Sequence, residues 1–279
     1  MTQKIKRLMS LAQQCYESFT VAQNDSTLRP YLIKGTLPIL YFGDIEAYFK
    51  SQYKIITAAI NPSFGEFFYD ESNKQISFKR FPQFESIANA NALNNENALQ
   101  YLSALNGYFK TGNDYKKWFK TTPRDNLFAP FGASYYENAP NRAIHTDILS
   151  PFATFPTWSK MPLHIQTQFS NAGIRLWSEL IEILEPNIIF MSLNKKYISH
   201  IDFYQTFRDY IIYHNKKYYG ESLKIQYGYI HLNGKTAHIF NESRTNRVPF
   251  NAIGNEHSAL LGKKIFERFI SGTLQHSDL

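Results

Sequence analysis

The chain has 279 residues, of which 43% are hydrophobic and 16% aromatic, and it carries a formal net charge of +7 at pH 7. That apolar content excludes intrinsic disorder and suffices for a sizeable core, while a single cysteine excludes an internal disulfide, an iron–sulfur cluster and a cysteine-rich zinc site. The basic balance attracts polyanions, nucleic acid foremost, and reads equally as plain solubility.

Lys4, Lys6 and Arg7 precede a short apolar patch broken by Gln13 and Gln14, too short and polar for a signal peptide or a membrane span, so a cytoplasmic protein with no membrane partner is expected. Ile5, Leu8, Met9, Ala12, Cys15, Tyr16 and Phe19 fall on one helical stripe, which predicts an opening helix packed on the domain. A short helix is expected over Ile45 to Phe49 and a strand over Tyr53 to Ile60. That strand runs directly into Asn61-Pro62-Ser63.

The stretch from Ser63 to Asn141 is mixed. It contains Gly65-Glu66-Phe67-Phe68-Tyr69, a basic aromatic run Phe78-Lys79-Arg80-Phe81, a helix expected from Leu93 to Phe109, and a second basic aromatic patch from Tyr115 to Lys120. Basic residues interleaved with aromatics suit phosphate contact and base stacking. Each patch also reads as an amphipathic helix with a solvated lysine face.

Ala143 to Ile148 reads as a second core strand with a polar tip at His145-Thr146-Asp147, where Asp147 is either a second polar group of a site or a helix cap. Ile165, Phe169, Ala172, Leu176, Trp177, Leu180 and Leu184 predict a long amphipathic helix that Pro186 ends. The uninterrupted apolar run Asn187 to Leu193 is a strand covered on both faces. A helix over Tyr204 to Tyr213, a strand over Leu223 to Ile230, a strand led by Gly234 to Phe240, and a final helix through Leu261, Ile265, Phe266 and Phe269 follow. Asn233-Gly234 is a hairpin signal, so one sheet edge is expected to be antiparallel. The alternation predicts a three-layer α/β/α fold with a mainly parallel central sheet. One domain is expected over 1–279, with an N-terminal helical segment 1–35 and a long insertion 64–141.

Two polar strand ends carry the chemistry. Asn61 ends the first core strand, and Pro62 fixes the turn after it. A neutral amide cannot take a proton near pH 7, but it can hold a water through one acceptor and two donors. An enzyme built on Asn61 depends on positioning and on a good leaving group. The competing reading is an Asx turn that caps the next helix. The second end is Asn241-Glu242-Ser243, followed by Arg244 and Arg247. Ligands of open α/β sheets lie at the carboxyl edge of the strands, where both ends are expected.

Other chemistries find little support. A metal nuclease needs clustered carboxylates with a nearby lysine, but Tyr48 stands where that lysine belongs after Asp44 and Glu46. Asn255-Glu256-His257 reads as a helix start, and no metal spacing is present. Phosphate-loop, dinucleotide and serine-hydrolase motifs are absent.

Ala59-Ile60-Asn61-Pro62-Ser63 resembles the first signature of the uracil-DNA glycosylase superfamily, closest to the mismatch-specific, thymine-DNA glycosylase-like branch, whose motif reads Gly-Ile-Asn-Pro-Gly. That branch's second signature is a polar loop after the last core strand, with a serine and then an arginine. Ser243 and Arg247 match it. Ala59 and Ser63 replace the family glycines, and Glu242 replaces a proline. Glu242 would add a carboxylate where DNA phosphates pass, or read an amino group such as that of cytosine.

The resemblance implies a monofunctional DNA glycosylase on a uracil-DNA glycosylase-like fold, acting on double-stranded DNA as a monomer, with no metal or organic cofactor. One nucleotide is extruded into a pocket. Asn61 positions the attacking water, and Ile60, Pro62, Ser63, Phe64, Asp147, His238 and Asn241 line the base pocket. Ser243, Arg244 and Arg247 hold DNA, with Arg247 as the wedge. His238 would donate to the departing base, or be an ordinary strand histidine. An aromatic among Phe64, Phe67, Phe68, Phe78 and Phe81 would stack on the flipped base. The substrate would be uracil or mismatched thymine in repair, or a modified cytosine of phage DNA in antiviral defence. The alternative is a non-catalytic DNA- or nucleotide-binding module on the same fold.

Overall fold

The computed structural model describes residues 2–70, 75–88, 90, 92–194, 197–198, 201, 203–207, 225–242 and 254–274. Its helices are α1 (Gln3–Asn24), α2 (Ile45–Lys50), α3 (Asn95–Gly107), α4 (Lys116–Phe119), α5 (Thr122–Phe128), α6 (Leu163–Leu184) and α7 (Asn255–Ser271). Its strands are β1 (Ile55–Ala59), β2 (Phe68–Asp70), β3 (Gln75–Ser77), β4 (Ala133–Ser134), β5 (Asn141–Arg142), β6 (Ile144–Asp147), β7 (Ile188–Met191), β8 (Phe203–Phe207), β9 (Ile225–Leu232) and β10 (Lys235–Glu242). The protein is a mixed α/β fold with a mostly parallel central sheet, and the alternation of elements accords with α/β/α layering. Among the described residues, no helix is long and apolar enough to cross a membrane.

The chain groups into two compact units, and the backbone passes between them several times. The first comprises Met1–Glu46, Ile60–Tyr115 and His145–Leu184. Helix α1 is capped by the Thr2 hydroxyl, which accepts from Ile5 N. It buries Leu8, Met9, Leu11, Ala12, Cys15, Tyr16, Phe19 and Ala22 against α3 and α6, as the stripe in the sequence predicts. Burial pushes the Cys15 thiol up, so the residue is core and not a reactive group. Helix α6 meets the stretch after β6 so closely that only glycine fits. A Cβ on Gly173 would lie 2.0 Å from the Leu149 carbonyl oxygen.

The second unit comprises Ala47–Ala59, Lys116–Ile144 and Glu185–Leu279. It contains the core of the sheet, whose full strand order is β6-β1-β7-β10-β9-β8. Strands β1, β7 and β10 are parallel, with Ala58 and Asn241 both level with Met191 of the strand between them. Every residue of β7 is fully buried, as an apolar run covered on both faces requires, and each such side chain contributes about 1.5–3 kcal/mol. Strands β9 and β10 form the expected hairpin. Asn233 and Gly234 take φ of 50° and 78°, the conformation of a turn whose twist matches the strands. Helices α5 and α7 pack together, and a Cβ on Gly262 would lie 2.8 Å from the Asn126 carbonyl oxygen.

Three expectations change. The helix over Tyr204 to Tyr213 is not formed at its start: Phe203–Phe207 is β8, paired antiparallel with β9. Its local pattern suits either element, and an open strand edge decides in favour of strand. Residues 208–213 lie outside the described residues. The first basic aromatic patch is half inward: Arg80 is buried while Lys79 is exposed, whereas Lys116 and Lys120 of the second patch are exposed. Phe67, Phe78 and Phe81 belong to the core of the first unit, which removes them as partners for a flipped base.

Candidate functional site

The end of β1 leads into a tight bracket around Asn61, all of it in the first unit. Ile60 is buried, and its carbonyl accepts from both Leu149 N (3.0 Å) and Ser150 N (3.3 Å). The segment after β6 is thereby clasped to the start of the Asn61 turn. The same segment binds the amide of Asn61. Nδ2 donates to Phe152 O, Thr154 Oγ1 and Pro62 O, each at 3.1 Å. Two carbonyl oxygens can face only the nitrogen end of the amide, so the orientation is forced. Oδ1 accepts no hydrogen bond from any described residue, and the side chain is only half-buried.

Pro62 is buried, while Ser63 and Phe64 are exposed, Phe64 to 42%. The Ser63 hydroxyl accepts from Gly65 N, and its carbonyl accepts from Glu66 N. Ser63, not Asn61, therefore caps the short turn Phe64–Glu66. The Asx-cap alternative for Asn61 does not hold. Of the aromatics proposed to stack on a base, Phe64 is the exposed one among those whose side chains are described.

A buried polar cluster lies in the same unit. Glu66, at the end of the Asn61 turn, is 3% exposed and accepts from Tyr108 Oη at 2.5 Å. Tyr108 Oη accepts in turn from Tyr115 N. The Arg80 guanidinium is 3.9 Å from Glu66 and donates to the carbonyls of Gly65 and Asn113. Burial pushes the Glu66 carboxyl up to about 8, against the opposing pull of Tyr108 and Arg80. Asp147, at the tip of β6, is 6% exposed. Neither of its oxygens takes a hydrogen bond from a described residue; His145 Nε2 lies 3.7 Å away. Burial raises the Asp147 carboxyl too, with His145 opposing. Asp147 caps no helix, which leaves the other reading of it, a polar group at a strand tip.

The second strand end belongs to the second unit. Asn241 is fully buried, with every polar atom engaged: its Oδ1 accepts from Leu193 N (2.8 Å), and its Nδ2 donates to Leu193 O (2.9 Å) and Gln226 Oε1 (2.8 Å). Glu242 is likewise fully buried and accepts from Ser192 Oγ at 3.1 Å. It therefore faces the protein interior, which corrects its expected place beside DNA phosphates. His238 is level with Ile188 at the opposite end of β7 from Met191, three residues back from Asn241. It is hydrogen-bonded to Tyr227 Oη (2.8 Å), and burial lowers its pKa to about 4. The ordinary strand histidine is what this geometry describes. Ser243, Arg244 and Arg247 lie outside the described residues.

Sequence reasoning passed over Glu66, Tyr108, Phe152 and Thr154. Glu66 carried a usable signal, since one carboxylate flanked by Phe64, Phe67 and Phe68 is placed to be buried. Phe152 and Thr154 carried none, because only the loop path brings them to Asn61. Among the described residues, no group of three metal-ligating side chains forms. Compared with protein families, curated proteins and solved structures, the chain matches none.

Proposed function

We propose that the protein is a monofunctional DNA glycosylase of uracil-DNA glycosylase-like fold. It extrudes a pyrimidine nucleotide from double-stranded DNA and hydrolyses its N-glycosidic bond, leaving an abasic site. The observation that carries this reading is the bracketed amide of Asn61. Its donors are committed to Phe152 and Thr154, and Oδ1 is left to accept a hydrogen from water. An amide held in one orientation positions a water without taking its proton, which suits a bond whose leaving group departs as a stabilised anion. The ends of β1 and β10 support the reading. They stand at one sheet edge, two strand spacings or roughly 9.5 Å apart, as a ligand edge of an α/β sheet requires. Phe64, three residues after Asn61, is 42% exposed and is the aromatic assigned here to stack on an extruded base.

The base is uracil or mismatched thymine in a repair role, or a modified cytosine of phage DNA in a defence role. Duplexes bearing each base, incubated with the protein and then treated with alkali, identify it by strand cleavage at the abasic site. A second reading, a non-catalytic DNA-binding module, is favoured by one fact: the Asn61 amide also braces its own loop. Asn61→Ala separates the two. Loss of base release with DNA binding kept supports the enzyme; wild-type protein that releases no base from any of the duplexes supports the binder.

A further inference from the structure

The loop that brackets Asn61 runs on into an exposed seam within the first unit. Residues 153–155 lie antiparallel to residues 31–33. Leu32 bridges Thr154, Ile33 N donates to Ala153 O (3.4 Å), and Phe155 N donates to Tyr31 O (3.0 Å). Side chains alternate along such an extended pair. Buried Thr154 turns inward, where its hydroxyl accepts from the Asn61 amide at 3.1 Å. Phe155, the next residue, turns outward and is 69% exposed. Leu163, which opens α6, is 77% exposed. These two are the most exposed large apolar side chains among the described residues. A lone exposed apolar residue needs no explanation, but this pair adjoins a site and is joined by one-sided charge.

Between Asp25 and Asp44, and again between Asp147 and Glu179, the chain has no acidic residue. The seam joins these two stretches. Arg29, Lys34 and Lys160 stand on them, all exposed, and none forms an ion pair with a described residue. The nearest carboxylate along the chain from Arg29, that of Asp25, is turned back on its own backbone and accepts from Thr27 N (2.7 Å) and Leu28 N (3.0 Å). A surface with cations and no acid favours a polyanion.

We propose that this seam is the face on which DNA docks, with Arg29, Lys34 and Lys160 on phosphates and Phe155 stacked on a base. The inference rests on the glycosylase reading for its partner and deepens it by placing the duplex. Extrusion of one nucleotide leaves the next base without a stacking partner, and an aromatic ring stacks on any base. Phe64 serves the extruded base, and Phe155 serves the one left behind. The backbone at 154–155 carries the bracket of the Asn61 amide on its inner side and the Phe155 ring on its outer side. A nucleotide held inside and a duplex kept outside need that arrangement.

The test compares two duplexes of one sequence, one intact and one with a tetrahydrofuran abasic site, by fluorescence anisotropy over a range of salt. The abasic duplex presents the open stack whichever base the enzyme releases. The wild type is expected to prefer it, and Phe155→Ala to bind it about tenfold more weakly and lose the preference, with Phe155→Trp restoring it. Arg29→Ala, Lys34→Ala and Lys160→Ala should each weaken both duplexes alike and lower the slope of log Kd against log salt by about 1. All four sites are exposed, and thermal melting confirms that the variants fold. A preference kept by Phe155→Ala overturns the stacking, and a salt slope unchanged in the three cation variants overturns the docking face. A wild-type dimer that Phe155→Ala dissociates, with DNA binding unchanged, gives the seam to a second copy and also overturns the proposal. Base release is scored separately. A wild type that releases no base but shows both binding effects ends the enzyme reading and leaves the docking face. Base release that persists while both binding effects are missing ends the docking face and leaves the enzyme.

Discussion

Asn61 follows β1 in the first unit, and Asn241 lies near the end of β10 in the second; both are asparagines at the carboxyl ends of parallel strands. Asn241 is fully buried, and Leu193 and Gln226 occupy both ends of its amide. Asn61 is half-buried, and only the nitrogen end of its amide is occupied. An amide with all its hydrogen bonds made to buried protein is a fixture of the sheet, because removing it orphans its partners. An amide with its acceptor left over is held in place and still has something to offer a ligand. The same residue type at the same kind of strand end thus has its amide fully engaged in one unit and half engaged in the other.

The largest test of that contrast is in rate. Asn61→Ala should lower base release by about a hundredfold or more, while changing unfolding free energy by only about 1 kcal/mol. Asn241→Ala should do the reverse. Three buried groups lose their partner, so chemical denaturation should report a loss of about 2–4 kcal/mol. If Asn241→Ala proves as stable as the wild type, the contrast collapses.

The second test moves the bracket and leaves the asparagine alone. In Gly173→Ala, the new Cβ would meet Leu149 backbone atoms at 2.0 and 2.4 Å, so α6 or the loop that clasps Ile60 must shift. A loss of about 2–3 kcal/mol is expected, together with slower base release. Gly262→Ala, with a 2.8 Å contact in the second unit, should destabilise without that kinetic effect.

A finer version is Thr154→Val. It removes one acceptor of the Asn61 amide and leaves Phe152 O and Pro62 O, so stability should fall by about 1 kcal/mol and base release by about tenfold. An unchanged rate would mean that the carbonyls of Phe152 and Pro62 suffice to orient the amide.

The smallest effect concerns His238. Its pKa is lowered to about 4 by burial, so the folded protein keeps it neutral where the unfolded chain binds a proton. Stability contributed by neutral His238 is complete above the ordinary histidine range and is lost as pH falls from about 6.5 toward 4. For a side chain that is only partly buried, the loss should be about 1 kcal/mol. His238→Gln should flatten that part of the stability profile without altering base release at neutral pH. A marked drop in base release would return His238 to the site.

Much of the fold was legible because period and burial go together. The stripe of α1, the apolar run of β7, the Asn233-Gly234 turn and the α7 face each follow from local pattern alone. Tyr204 to Tyr213 misled because an edge strand borrows its stability from its neighbour, and nothing in the local pattern reports that neighbour. At the candidate site, Asn61 was visible as a polar residue at the end of an apolar strand. Glu242 was visible in the same way and proved to face inward, because alternation along β10 is not written in the motif, while His238 sits mid-strand as the ordinary strand histidine that the sequence also allowed.

Local chemistry settled α1, α6, β1 and β7, where the β9–β10 turn falls, and that an asparagine follows the first sheet strand. Each of these depends on neighbours within a few residues. Folding in three dimensions decided that Phe152 and Thr154 turn the Asn61 amide, that Gly173 admits the loop carrying them, and that Tyr108 meets the buried Glu66 carboxyl. Those outcomes depend on contacts between residues 24 to 93 positions apart in the chain, and only the packed structure brings such positions within reach.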